Sequence, residues 1–192
     1  MKKLLLLLCF VFIHQVVYPV YFKHLGMSDG LSQVSVMSIY QDCLGRMWFG
    51  TREGVSIYDE ERMRVYKGWE NLDPESSINV LLGHECDHLT GNRQGDIFFR
   101  TCDSLVRYDI REEKFCVVSG CKAKTITSAD GDIWTGYDDM VCRYDEKGDS
   151  LQLYAKTNTP GISSLLISGK KIWIGTYEGL YVIGEDKKVR CL

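Results

Sequence analysis

The chain has 192 residues, of which 45% are hydrophobic and 26% are charged. This composition excludes a disordered chain, and the formal net charge of −3 gives no basis for binding nucleic acid or anionic lipid. Only three alanines occur, whereas Val, Ile, Thr, Tyr, Phe and Trp together supply 59 residues. The composition therefore argues against a helical bundle and predicts an all-β fold.

The N-terminal residues have the layout of a secretory signal. Two lysines follow Met1 and precede an apolar run from Leu4 to Ile13, which is shorter than the roughly 20 residues that span a bilayer. We predict that residues 1–20 form a signal peptide, or an uncleaved signal anchor, and that the rest of the chain is periplasmic. A buried N-terminal strand is the alternative.

Export would place seven cysteines in an oxidising compartment, and this odd number implies at least one unpaired thiol. Their spacing shows no regular disulfide framework. We therefore expect most of them to be small buried residues of strands. Cys116 and Cys121 are close enough in sequence to form one bridge, which the sequence does not decide.

An internal repeat organises the remainder of the chain. Four fifteen-residue segments align without gaps, at 45–59, 95–109, 131–145 and 170–184. Each contains one aromatic anchor, namely Trp48, Phe98, Trp134 and Trp173. Because the anchors lie about 40 residues apart, each repeat has room for one small four-stranded sheet.

The repeat predicts four short strands joined by tight turns. In the first copy these are 36–41, 47–50, 55–58 and 63–66, and the third copy has a two-residue Asp130-Gly131 turn. Such four-stranded meanders are the blades of a β-propeller. We predict about four blades, at 34–68, 86–119, 122–156 and 161–192.

Three features of the repeat have predicted structural roles. The aromatic anchors should fill the space between adjacent blades. Gly50, Gly136 and Gly175 follow the anchors and should permit close approach of the backbone, and Arg100 replaces this glycine in the second copy. Each Tyr-Asp pair that ends a third strand should pack its ring and use its carboxylate in the next turn.

The first copy, SIYQDCLGRMWFGTREGVSIYD at residues 38–59, resembles the two-component regulator propeller repeat. The lead-in FKHLGMSDGLS at 22–32 is similar to the start of the sensor region of Bacteroides-type hybrid two-component systems. The resemblance implies an N-terminal fragment of a periplasmic sensor that detects oligosaccharides and signals to a histidine kinase. It also implies a possible homodimer in the full-length sensor and no binding of nucleic acid.

The kinase region itself is absent from the sequence, so we expect no enzymatic activity here. The chain should form an open partial propeller over 21–192, with residues 21–31 as an N-terminal closing strand for a missing blade. An open arc leaves two blade faces uncovered, so we expect the isolated chain to be unstable or to aggregate. A closed four-bladed ring is the structural alternative.

Metal ligands and catalytic residues are scarce in the sequence. The segment 84–88 (His-Glu-Cys-Asp-His) contains metal-binding residue types, and on a regular strand His84, Cys86 and His88 would share a face. We interpret it as an ordinary connection between blades. The acidic pairs Glu112-Glu113 and Asp138-Asp139 are expected in solvated turns. We therefore assign no catalytic residue, metal or cofactor.

Any ligand is expected at the propeller face where the turns between second and third strands converge. These turns are Arg52-Glu53, Cys102-Asp103, Tyr137-Asp138 and Tyr177-Glu178. Their aromatic and charged side chains would suit a sugar acid or another polar ligand, although the simpler interpretation is that they are ordinary polar turns. The binding residues remain unassigned. The alternatives to a sensor fragment are a secreted interaction scaffold and, more remotely, a propeller enzyme.

Overall fold

The computed structural model describes residues 21–67, 85–102 and 104–192. These residues form sixteen strands and one 3-10 turn, Met27–Asp29. Blade 1 consists of β1 (Val36–Gln41), β2 (Met47–Thr51), β3 (Gly54–Tyr58) and β4 (Met63–Tyr66). Blade 2 consists of β5 (Cys86–Gly91), β6 (Ile97–Thr101), β7 (Ser104–Asp109) and β8 (Lys114–Lys122). Blade 3 consists of β9 (Thr125–Ala129), β10 (Asp132–Tyr137), β11 (Met140–Asp145) and β12 (Ser150–Lys156). Blade 4 consists of β13 (Ile162–Ser168), β14 (Lys171–Thr176), β15 (Gly179–Ile183) and β16 (Val189–Cys191).

Every blade is an antiparallel meander in which each strand pairs with the next along the chain. The predicted all-β fold built from four-stranded blades is therefore confirmed. Blades 2 and 3 also join at their outer strands through one parallel pair, Ser119 with Ser150. This bridge makes a continuous eight-stranded sheet, which the sequence did not predict.

The blades follow one another in an open arc. The innermost strands β1, β5, β9 and β13 contact each other in succession. Among the described residues, no comparable contact returns from β13 to β1. The open partial propeller is the observed form, and the alternative of a closed four-bladed ring is wrong.

Three of the four aromatic anchors, Trp48, Phe98 and Trp134, fill the spaces between blades, as predicted. Trp48 of blade 1 packs against Tyr108 of blade 2, with ring centroids 4.9 Å apart. Phe98 of blade 2 packs in the same way against Tyr144 of blade 3, at 4.8 Å. Burying side chains of this size contributes about 1.5–3 kcal/mol each, and an aromatic pair adds about 0.5–1.5 kcal/mol. The repeat thus stabilises the chain mainly between blades.

The turn before β2 fixes the first anchor. The buried Asp42 carboxylate accepts hydrogen bonds from Trp48 Nε1 at 2.8 Å and from Arg46 Nε at 2.7 Å. Burial opposes ionisation of this carboxyl, but the bonds from Trp48 and Arg46 outweigh it and lower the pKa of Asp42. In blade 2, Asn92 accepts the corresponding backbone bonds, and Phe98 has no N–H that needs a partner.

Close approach between blades explains two of the three repeat glycines. A Cβ on Gly50 would lie 2.4 Å from the carbonyl oxygen of Cys86 in blade 2. A Cβ on Gly136 would lie 2.5 Å from the Ile162 side chain in blade 4. Arg100 occupies this position in blade 2, and its guanidinium pairs with Asp87 on the neighbouring strand.

The carboxylates of the Tyr-Asp pairs have the turn role that the sequence predicts, and the rings of Tyr108 and Tyr144 are packed against the preceding blade. The Asp59 carboxylate accepts the backbone N–H of Arg62 at 2.8 Å, and that of Asp109 accepts the N–H of Glu112 at 3.0 Å. These backbone bonds lower the pKa of both carboxyls. The carboxylates therefore close the turns that lead into β4 and β8.

The segment before blade 1 has no strand in the structure. Residues 21–26 are irregular and are followed by the 3-10 turn. Lys23 donates to the Tyr58 hydroxyl at 2.5 Å, so the segment lies over blade 1. The closing-strand role of residues 21–31 stays a prediction. The predicted signal at 1–20 lies outside the described residues, and within the described ranges no helix is long and apolar enough to cross a membrane.

Candidate functional site

The turns between the second and third strands all emerge at one edge of the arc, because consecutive strands of each meander are antiparallel. Two of the predicted turns meet in a cleft between blades 3 and 4. The corresponding connection between blades 1 and 2, residues 68–84, lies outside the described residues, as does Asp103. The cleft between blades 3 and 4 is therefore the part of this edge whose geometry can be followed.

The cleft has a volume of about 190 Å³ and is lined by Lys124, Tyr137, Asp138, Gly161, Ile162 and Tyr177. The side chain of Tyr177 is 77% exposed, which is unusual for a tyrosine on a folded surface. Typical small-molecule pockets measure roughly 300–1,000 Å³. A cleft of the observed size can hold one small ring or the end of a longer ligand.

The connection between blades 3 and 4 holds the cleft together. The backbone N–H of Ile162 donates to the carbonyl oxygen of Asp138 at 2.9 Å, and that of Tyr177 donates to Gly161 at 3.3 Å. Gly161 has a φ of 90°, and a Cβ there would lie 2.5 Å from the Tyr177 ring. A glycine is therefore required where the ring of Tyr177 rests against the connection.

The cleft combines aromatic and charged groups. The Lys122 ammonium lies 5.7 Å from the centre of the Tyr137 ring, and Lys124 lines the same opening. Asp138 is the acidic residue of the cleft lining. Such a surface can stack against a flat or ring-shaped ligand and attract an anionic group. It offers groups suited to binding.

Sequence reasoning named only part of this cleft. Tyr137, Asp138 and Tyr177 lie in the turns that the sequence singled out, and the structure brings them together. Lys124, Gly161 and Ile162 were missed because they belong to the ends of blade connections. Only the Pro160-Gly161 pair hinted at a special turn in the sequence.

A second, larger groove lies between blades 2 and 3 at the opposite edge. Its two cavities, of about 300 and 180 Å³, share Gln94, Tyr144 and Glu146. Arg107 binds Asp96 at 3.1 Å and Asp149 at 3.3 Å, and the Tyr144 hydroxyl donates to Asp149 at 2.5 Å. Burial and this bond raise the pKa of Tyr144. Because these charged groups already neutralise one another, the main role of the residues in this groove is to hold blades 2 and 3 together.

The segment 84–88 does not form the regular strand face that the spacing suggested. His88 has a φ of 53°, and the pairing register shifts between Asp87 and Thr90. Burial raises the pKa of the Cys86 thiol to about 12, and Asp87 pairs with Arg100. His84 lies outside the described residues, and within those ranges no three potential metal ligands cluster.

The cysteines are less buried than expected. Cys86 and Cys142 are buried in strands, as predicted, but Cys43, Cys102 and Cys191 are exposed. Exposure follows from position, because Cys43 and Cys102 lie in turns and Cys191 is on the outermost strand of blade 4. Cys116 is a free thiol, so the bridge that sequence proximity suggested is not formed.

No family model matches the chain. One curated relative, histidine kinase P4 from Formosa agariphila, is 39% identical over 59 residues, which is 31% of this chain and 4% of that protein. The match therefore spans a small fraction of the kinase's length. It shows that one 59-residue stretch of this chain is similar in sequence to a histidine kinase.

Solved structures match over most of the chain. The crystal structure described as the extracellular domain of the hybrid two-component system BT3049 from B. thetaiotaomicron has a TM-score of 0.74 and 23% identity, covering 88% of this chain and 26% of that one. Virginiamycin B lyase from Staphylococcus aureus has a TM-score of 0.61 and 17% identity, covering 85% and 57%. At these identities the matches show the fold alone. The chain is thus similar in fold to the extracellular domains of Bacteroides hybrid two-component systems, and its short sequence match is to a histidine kinase.

Proposed function

We propose that the chain is part of an exported ligand-sensing propeller of a two-component system, without kinase activity of its own. The fold shared with extracellular sensor domains and the short match to a histidine kinase support this role. The sensor would pass its signal to a kinase elsewhere in the same protein.

The ligand proposed for the cleft between blades 3 and 4 is an acidic oligosaccharide. The exposed Tyr177 ring carries this assignment, because an aromatic face can stack on the C–H face of a sugar while Lys124 attracts a carboxylate. The size of the cleft suits a single sugar ring.

Calorimetric titration with an oligouronide and with a neutral oligosaccharide of equal length tests this function. We expect the acidic sugar to bind, and Tyr177→Ala to weaken it at least tenfold. Tyr21→Ala removes an equally exposed tyrosine outside the cleft and should leave binding unchanged. Failure of both sugars to bind, or unaltered binding by Tyr177→Ala, would refute the assignment.

A further inference from the structure

The groove between blades 2 and 3 is formed by blades that each have a neighbour on both sides. Its walls therefore do not include either end of the arc. The larger of its two cavities, of about 300 Å³, reaches the lower end of the range typical of small-molecule sites. Because it lies at the edge opposite the cleft between blades 3 and 4, a ligand bound here would not touch that cleft.

The more buried charges of the groove are neutralised within the protein. Arg107 contacts Asp96 and Asp149, and the Tyr144 hydroxyl donates to Asp149. Arg107 exposes 19% of its side chain and Asp96 only 10%. These groups hold the blades together and have little surface left for a ligand.

The three acidic side chains that line the larger cavity also have partners, because each accepts a hydrogen bond from another side chain of the cavity. Arg143 donates to Asp132 at 2.7 Å, Gln152 to Asp145 at 2.7 Å, and Gln94 to Glu146 at 2.6 Å. A cationic ligand would have to compete with these donors. The carboxylates of this lining are therefore already in use.

Two basic side chains of the same cavity, Arg93 and Lys147, have no ion-pair partner among the described residues. Arg93 belongs to the turn between β5 and β6 of blade 2, and Lys147 to the turn between β11 and β12 of blade 3. The two cations thus stand on opposite walls of one cavity. Like charges repel each other, so a negative group between these two walls would be favoured.

Contacts with blade 3 hold Arg93 in position. Its backbone N–H donates to the carbonyl oxygen of Gly131 at 3.1 Å, and its guanidinium donates to the carbonyl oxygen of Asp130. Gly131 has a φ of 81°, and a Cβ there would lie 2.8 Å from the Cβ of Arg93. Both acceptors are uncharged, so the guanidinium is fixed in place while its positive charge stays available. A group that is already ordered loses less entropy when a ligand binds.

We propose that Arg93 and Lys147 bind the oxyanion of a small ligand between blades 2 and 3. Phosphate, sulfate and carboxylate groups share the chemistry that these side chains recognise. A guanidinium presents paired N–H donors to two oxygens of such a group, and an ammonium adds a point charge. The inference does not depend on the ligand proposed for the cleft between blades 3 and 4.

Calorimetric titration of the whole 192-residue chain with sodium phosphate, sodium sulfate and sodium acetate tests the site at pH 7. Sodium chloride at equal ionic strength is the reference for screening of surface charge. We expect saturable binding of at least one oxyanion, and the tightest of the three identifies the kind of group that the site takes. Absence of binding by all three, or an equal response to chloride, would overturn the proposal.

Two variants locate the bound anion. Arg93→Gln and Lys147→Gln should each weaken binding about tenfold or more, as expected for the loss of a hydrogen bond to a charged group. Lys170→Gln is the matched control, because it removes the same charge from an exposed turn of blade 4 outside the groove. It should leave binding unchanged, as should Tyr177→Ala in the cleft.

Circular dichroism verifies that each variant is folded, and Lys147 is exposed, so its replacement leaves a test even where Arg93→Gln perturbs the turn. Equal weakening by Lys147→Gln and Lys170→Gln would mean that the anion responds to general surface charge and would contradict the site. Loss of oxyanion binding with Tyr177→Ala would place the anion in the cleft instead.

Discussion

The interface between blades 1 and 2 is apolar at its centre and has an exposed ion pair, Arg64 with Glu113, at its rim, whereas the Arg107 side chain that joins blades 2 and 3 is mostly buried. In the first, Trp48 and the bare backbone of Gly50 meet blade 2 directly. In the second, Phe98 stands in place of tryptophan, and Arg107 links two carboxylates across the blades. The same repeat position therefore keeps its ring contact with the next blade whether it holds Trp or Phe, while the polar groups around it differ.

The largest expected effect is at the first anchor. Trp48→Ala should lower the free energy of unfolding by about 4–5 kcal/mol, because it opens a cavity and leaves the buried Asp42 without one donor. Trp48→Phe copies the anchor of blade 2 and should cost about 1.5–3 kcal/mol, for the lost hydrogen bond to a charged group. Urea denaturation at one fixed protein concentration measures both. Because both variants lose the bond to Asp42 and only Trp48→Ala loses the ring, equal losses would show that packing of the ring adds no stability.

The next effect tests the close approach of blades. Gly50→Ala should cost about 3 kcal/mol, because its methyl group would overlap a backbone carbonyl that cannot rotate away. Gly175→Ala is the matched control at the same repeat position in blade 4. Its methyl group would meet only the Ser164 hydroxyl, which can turn aside, so the cost should be below about 1 kcal/mol. Similar losses for both would mean that blade contact does not explain the glycine.

The next smaller loss of stability is expected from removing the ion pairs of Arg107 in blade 2. Arg107→Leu should cost about 2 kcal/mol, because it leaves the mostly buried Asp96 without its cation. Arg143 occupies the equivalent position in blade 3, but it and its partner Asp132 are both well exposed. Arg143→Leu should therefore change the stability by less than about 1 kcal/mol. Denaturation at high salt should leave this difference largely intact, since burial limits screening.

The sequence predicted what each repeat determines locally. The strands Val36–Gln41 and Met63–Tyr66 have the predicted bounds, because alternating side chains and turn residues lie within the strand or beside it. By contrast, β8 pairs with β12 at Ser119 and continues to Lys122, three residues beyond the predicted end of its blade at 119. That extension depends on contact with another blade, which a local pattern does not encode.

The residues of the candidate site likewise divide into those that the repeat predicts and those that only the folded structure reveals. Tyr177 belongs to a repeat turn and could be identified from its position in the motif. Lys124 and Gly161 enter the cleft only because blades 3 and 4 are packed side by side. Within blade 2, the departure of Arg100 from the repeat is visible in the sequence, while its partner Asp87 follows only from the pairing of β5 with β6. Blade-to-blade geometry is thus the part that the sequence leaves undetermined.

The smallest effect is the response to acid, and it contrasts the two turns that precede the anchors. Because the folded chain lowers the pKa of Asp42, this carboxylate stabilises the fold above about pH 4, its ordinary unfolded value. The stabilisation is lost as the pH falls through the lower folded value. Asn92 has no such carboxylate. Asp42→Asn should therefore destabilise the chain at pH 7 and reduce the fall in stability between pH 5 and pH 3. Denaturation midpoints of both proteins at pH 7, 5 and 3 measure this difference in acid response.

Asp59→Asn is the control for an exposed turn carboxylate, because backbone hydrogen bonds also lower the pKa of Asp59. If the two variants changed the acid response equally, burial beside Trp48 would not be what makes Asp42 distinctive.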